Sequence, residues 1–251
     1  MTMSDKYTIA HISDIHVGEG GFRQDKVIKS VKEINELSPD LVVVTGDLTC
    51  SGLDEEFKLA KKHLSKLDKK PLVVMGNHDA RNVGYLLFEK YFGERMVKYE
   101  DDTVFLIGIY STQPDIDGGH VGREEQSYIM KTFSNAPENK VKIFMLHHHL
   151  LPIPMAGREQ NILDDAGEVL LMIVDAGVDL VLCGHRHIPW TWNLENMCII
   201  HSGTIGSVRT KQLQKHSYVV IEINKNELTV NLKPIDFHEK QLRAGTIFEG
   251  T

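Results

Sequence analysis

The chain has 251 residues, 41% of them hydrophobic, enough to bury a full core, and its longest apolar runs, 104–110 and 169–174, fall far short of the ~20 residues that a bilayer-crossing helix needs. With 28 Lys and Arg against 35 Asp and Glu, the formal net charge of −7 argues against broad electrostatic attraction to nucleic acid or to an anionic membrane. Three cysteines, Cys50, Cys183 and Cys198, without Cys-x-x-Cys spacing, argue against a disulfide framework and a structural zinc knuckle.

Residues 1–10 lack the basic and apolar segments of a secretory signal, so a soluble cytoplasmic protein is expected. No linker, charge block or fixed-period repeat divides the chain, and a single domain over 1–251 is expected.

In chain order, residues 7–12 read as a buried strand ending in Asp14-Ile15-His16, whose first and third side chains project to one side of an extended backbone. Residues 24–37 carry apolar positions at Val27, Ile28, Val31, Ile34 and Leu37, a helical stripe. A β-branched run at 40–45 ends in Gly46-Asp47, a helix is predicted over 54–67, and a strand over 71–75 ends in Gly76-Asn77-His78-Asp79. Such alternation implies parallel strands, with chemistry beyond their carboxyl ends.

A helix is predicted over 83–91, two strands within 96–110 about a turn at Asp101-Asp102, and a helix over 123–133. Residues 141–146 form a strand delivering His147; a helix near 165–176 precedes a strand at 179–183 that delivers Gly184-His185-Arg186-His187. From Trp190 onward short strands alternate with turns, including a hairpin of 218–223 and 228–232 around 224–226, and a second sheet is expected.

Read together, the five patches offer imidazoles, carboxylates and one neutral amide oxygen, the types that two adjacent divalent ions require, and they point to phosphoester hydrolysis. Singly, each has an ordinary reading as turn or capping residues. Five in order, each after a predicted strand, weigh against it.

The ordered set Asp-x-His, Gly-Asp, Gly-Asn-His-Asp, His and Gly-His-x-His resembles the calcineurin-like metallophosphoesterase superfamily, and Gly46-Asp47-Leu48-Thr49 with the chain length looks most like its class III cyclic-nucleotide phosphodiesterase branch. The resemblance implies an α/β fold, a four-layer αββα sandwich of two mixed sheets flanked by helices, the metallo-dependent phosphatase fold. It implies one ion held by Asp14, His16, Asp47 and His187, and another by Asp47, Asn77, His147 and His185, with Asp47 bridging. A hydroxide shared by the ions is then the nucleophile, His78 resembles the catalytic histidine that serves the leaving oxygen, and Asp79 is expected to orient its ring. Within His147-His148-His149 the first is the ligand; the third stands where proline is frequent in the family.

Nitrogen and oxygen donors without thiolate suit manganese, iron, zinc, cobalt or nickel. Of the other histidines, His11 is expected in the core, and His63, His216 and His238 at the surface. His120 and His201 lie in loops that could border the pocket, and Arg186 could hold a phosphate or be an ordinary surface residue. The favoured function is a phosphodiesterase on small phosphodiesters such as 3′,5′-cyclic nucleotides. The rivals are a nuclease or phosphomonoesterase on the same centre, for which Arg158, Arg209, Lys211 and Lys215 could supply a basic groove, and a non-catalytic scaffold. The apolar C-terminal strands leave room for a homodimer.

Overall fold

The computed structural model describes residues 6–156, 162–210, 215–224, 227–235 and 240–246. Strand β1 (Lys6–Ile12) leads through helix α1 (Gln24–Leu37) to β2 (Leu41–Val44), and α2 (Asp54–Leu64) leads to β3 (Leu72–Val73), the three strands pairing in parallel. Helix α3 (Gly84–Phe92) then crosses to an antiparallel pair, β4 (Val97–Glu100) and β5 (Val104–Gly108). A small antiparallel ribbon, β6 (Thr112–Gln113) and β7 (Ile116–Gly119), precedes α4 (Arg123–Ser134). Strand β8 (Val141–Met145), α5 (Ala166–Asp175) and β9 (Leu180–Cys183) extend the second sheet in parallel. The hairpin of β10 (Trp190–Leu194) and β11 (Met197–His201) completes it, and β12 (Ser217–Asn224), β13 (Glu227–Pro234) and β14 (Lys240–Thr246) close the chain.

Two six-stranded mixed sheets result, ordered β14-β13-β12-β1-β2-β3 and β10-β11-β9-β8-β5-β4. The strand period of two divides their side chains between layers. Ala10, Ile12, Val42 and Val44 pack with Val27, Ile34, Phe57 and Phe88 of α1 to α3. Ile9 and Val43 turn the other way and meet Leu106, Ile143, Leu182 and Ile200 between the sheets. Phe105, Ile107, Phe144 and Val181 pack against Ile129, Phe133, Val169 and Ile173 of α4 and α5. These three apolar interfaces define the four layers of an αββα sandwich.

Two expectations need correction. A second sheet exists, but it begins at β4 rather than after Trp190, and the C-terminal hairpin joins the first sheet, β12 pairing antiparallel with β1 from Lys6 opposite Asn224 to His11 opposite Val219. His63 is not a surface residue: it is 2% exposed, with its ring against Phe22, because it falls on the buried stripe of α2 with Phe57, Ala60 and Leu64. His11 is buried as expected, His216 is half-buried, and His238 lies outside the described residues. The three cysteines are free thiols, Cys183 and Cys198 buried and Cys50 half-buried. No helix among the described residues is long and apolar enough to cross a membrane.

Candidate metal centre

Asp14 and His16 follow β1, Asp47 follows β2, Asn77 and His78 follow β3, His147 follows β8, and His185 and His187 follow β9. The first three loops belong to one sheet and the last two to the other, so the cluster forms where two sets of strand carboxyl ends meet. Main-chain hydrogen bonds lace the loops together: Asp14 N–H to the Gly46 carbonyl, His16 N–H to that of Asp47 and Gly184 N–H to that of His147, each at 3.0 Å. Missing side chains allow the approach. A Cβ on Gly76 would strike the Asp47 amide and Oδ1, and one on Gly184 would strike the Ser13 hydroxyl.

Ten non-glycine residues among those described have positive φ, and five of them are candidate ligands: Asp14 (55°), His16 (53°), Asp47 (53°), His185 (74°) and His187 (58°). The left-handed region costs a residue bearing Cβ about 1–2 kcal/mol. Strain of this kind concentrated in five of the seven candidate ligands is the signature of loops shaped for a site rather than for stability.

The donor atoms fall into two groups that share one residue: Asp14, His16, Asp47 and His187, and Asp47, His147 and His185, each with its atoms within 4.8 Å of one another. Asp47 Oδ2 lies 3.4 Å from His16 Nε2 and 3.4 Å from His147 Nε2. In the first group His187 Nε2 is 2.9 Å from His16 Nε2 and 3.2 Å from Asp14 Oδ1. In the second, Asn77 Oδ1 lies 3.0 Å from His147 Nε2 and 3.1 Å from His185 Nδ1. Metal bonds of ~2.0–2.2 Å put neighbouring ligand atoms about 3–3.5 Å apart, so these spacings suit the edges of coordination polyhedra. Asp14 Oδ1, fully buried, accepts no hydrogen bond among the described residues. The residues present fit metal ions.

The outer nitrogens fix the rings. His147 Nδ1 is 2.6 Å from the Thr45 carbonyl and His187 Nδ1 is 3.1 Å from that of Arg209. A carbonyl only accepts, so Nδ1 carries a proton, and in the neutral ring that binds a cation Nε2 turns a lone pair inward. Asn77 is oriented likewise, its Nδ2 donating to Asp117 Oδ1 at 3.1 Å so that Oδ1 faces the two imidazoles. His78 donates Nδ1–H to the Cys50 carbonyl at 2.6 Å and lines the cavity.

Asp79 does not orient that ring. Its two oxygens accept from the amides of Gly76, Leu48 and Thr49 and from the Thr49 hydroxyl, at 2.8–3.1 Å, so it ties the β2 and β3 loops together instead. Wholly buried and close to Asp47, its carboxyl is pushed up to about 6.

The cluster's electrostatics call for positive charge. Burial works against ionising Asp47, yet His147, His78 and His16 outweigh it and hold the carboxyl well below its usual range. Burial works against protonating His16 and His147, yet the Asp14 and Asp47 carboxylates raise the rings to about 10 and about 9. Protons gather there as cations would. Burial, then its histidine neighbours, depress His185, and burial depresses His78.

Above the centre opens a cavity of about 180 Å³ lined by Asp47, Asn77, His78, Arg81, Asp117, His185, Arg186, His187 and Arg209. Sequence reasoning missed Arg81 and Asp117. Arg81 donates to Asp117 Oδ1 at 2.7 Å and to the Cys50 carbonyl at 3.2 Å, so one carboxylate steadies both Asn77 and a guanidinium. Arg186 is 8% exposed, donating to the Ala156 carbonyl, and so is not an ordinary surface residue. His120 points elsewhere, 3.5 Å from Asp165, and His201 is wholly buried outside the cavity lining. His148 is anchored to the Ser111 hydroxyl and the Asp117 carbonyl, and His149 stacks on His185. Of the residues considered for a basic groove, Arg158 and Lys211 lie outside the described residues.

A family model described as calcineurin-like phosphoesterase matches residues 7–189. A probable glycerophosphodiester phosphodiesterase of Arcobacter nitrofigilis is 30% identical over 203 residues, covering 74% of this chain and 74% of that protein. A 3′,5′-cyclic-nucleotide phosphodiesterase of a Nostoc species is 26% identical over 191 residues, covering 72% and 71%. Among solved structures, a purple acid phosphatase from yellow lupin seeds superposes with a TM-score of 0.74 at 11% identity over 94% of this chain, which spans about half of that one (53%). At that identity the likeness concerns the fold alone.

Proposed function

This chain belongs to the calcineurin-like phosphoesterase family, and from that premise we propose that it hydrolyses small phosphodiesters at a pair of divalent cations. Asp14, His16, Asp47 and His187 would hold one cation, and Asp47, Asn77, His147 and His185 the other. The observation that carries this reading is Asp47 Oδ2 standing 3.4 Å from an imidazole nitrogen of each group, a carboxylate placed to serve two ions. Two such ions would polarise a phosphoryl oxygen and generate a nucleophile from water at neutral pH.

The chain's own residues do the rest. His78, with Nδ1–H committed to the Cys50 carbonyl, leaves Nε2 for the cavity, where it can carry a proton to the departing oxygen. Arg81 binds a non-bridging phosphoryl oxygen through its planar donor fork. Relatives named as glycerophosphodiester and cyclic-nucleotide phosphodiesterases support a phosphodiester substrate.

The test is a panel of bis(4-nitrophenyl) phosphate, a 3′,5′-cyclic nucleotide, a glycerophosphodiester, a simple monoester and single-stranded DNA, run on protein reloaded with each of several metals. Diesters are expected to turn over fastest, with two metal ions per chain by elemental analysis. Asp47→Asn should lower turnover more than ~1000-fold and reduce metal content, whereas His78→Ala should lose about 100-fold while keeping its metal. Full activity in Asp47→Asn would defeat the reading.

A further inference from the structure

Three guanidiniums line the cavity of a chain whose formal net charge is −7, and they are not equivalent. Arg81 stands beside Asn77 and the carbonyl that holds His78, where a scissile phosphate would sit. Arg209 stands on the other flank, its carbonyl accepting from His187 Nδ1 at 3.1 Å. Its Nε lies 2.6 Å from Glu19 Oε1 as an ion pair, and Glu19 is no surface partner: its side chain is 6% exposed and its Oε2 accepts the Val208 amide at 2.9 Å. A buried carboxylate thus grips one edge of a half-exposed guanidinium. Among the described residues, the terminal nitrogens of Arg209, with four N–H donors, remain for a ligand in the cavity. Arg186, between His185 and His187 in sequence, lines the same cavity.

We propose that Arg209, paired with Glu19 and lining the same cavity as Arg186, is a second anion subsite, and that the substrate carries a further phosphate next to the scissile one, as in a diphosphate ester. This rests on the phosphoesterase reading of the same centre. The chemistry is unchanged and balances: a water oxygen bonds to phosphorus, the P–O bond to the leaving group breaks with its electron pair on the departing oxygen, and that oxygen, here belonging to the second phosphate, is released as an anion or takes the proton.

Calorimetric titration of the manganese-loaded protein with pyrophosphate and with orthophosphate tests the subsite without turnover. Pyrophosphate should bind at least tenfold more tightly, and Arg209→Gln should erase that advantage, weakening pyrophosphate at least tenfold more than orthophosphate. Arg209→Lys should restore only part of it, since an ammonium lacks the guanidinium fork. Glu19→Gln, which keeps the guanidinium but loosens its brace, should lie between Arg209→Gln and the unaltered protein. In turnover, Arg209→Gln should reduce kcat/KM for ADP-ribose at least tenfold more than for bis(4-nitrophenyl) phosphate. Equal binding of the two anions, or equal weakening of both by Arg209→Gln, overturns the subsite. Absence of all hydrolysis would end the catalytic reading and leave the calorimetric contrast to decide this one.

Discussion

His11 and His201 are wholly buried and belong to neither donor group, and burial depresses both rings to about 3, against an opposing pull from Asp14 on His11. A base depressed in the folded state is neutral there and charges only on unfolding. Its stabilising effect is full above the unfolded pKa of ~6.5 and is lost as pH falls through that value towards the folded one. Between pH 7 and pH 5.5 each should cost the fold about 1 kcal/mol. Thermal midpoints of metal-free protein should fall over this window, and His201→Gln should flatten the dependence; an unchanged slope would remove His201 from the account. At this scale the inward-facing donors were legible, because imidazole and carboxylate types at strand ends announce themselves. Their outer partners were not, since the carbonyls of Thr45, Cys50 and Arg209 are main-chain atoms that carry no mark of side-chain identity.

Strands and helices fell close to where periodicity put them, α1 spanning the predicted 24–37 and α2 stopping at Leu64 short of the predicted 67. Leu67 is still buried, so its apolar spacing continued the stripe while Ser65 turned the backbone, its hydroxyl donating to the Lys62 carbonyl. The ribbon β6–β7 escaped prediction because two- and four-residue strands are too short to show a period. Yet it delivers Asp117 to Asn77 and Arg81 and is itself anchored by His148. Asp117→Ala should therefore free Asn77 to rotate, weakening metal retention at the His147 and His185 position about 10- to 100-fold and raising KM through Arg81. Competition with a graded chelator reads the first effect. If affinity holds while KM rises, the ribbon serves substrate alone.

Neither sheet holds the whole cluster: Asp14, His16, Asp47 and Asn77 come from one, and His147, His185 and His187 from the other. The two-sheet architecture came with the ordered motifs. The allotment of the C-terminal hairpin did not, because the β12 alternation Val219, Ile221, Ile223 would bury against either sheet. Candidate ligands split this way would make cation binding a clamp across the inter-sheet core. A ligand that binds only the folded state stabilises it by about 4 kcal/mol at a thousandfold excess over Kd. Stripping the metal should thus lower Tm by several degrees, and reloading should restore it. A Tm indifferent to chelation would show that the sheets are held by apolar packing alone.

The left-handed backbone at the candidate ligands carries a wider consequence. At most positions glycine weakens a fold relative to alanine by enlarging the unfolded ensemble. At His187, with φ 58°, the order should invert, because only glycine rests there without penalty. Metal-free His187→Gly should melt higher than His187→Ala, by an amount equivalent to about 1 kcal/mol. Catalytic competence in this molecule is then held against the chain's own conformational preference, and selection for heat resistance alone would erode it.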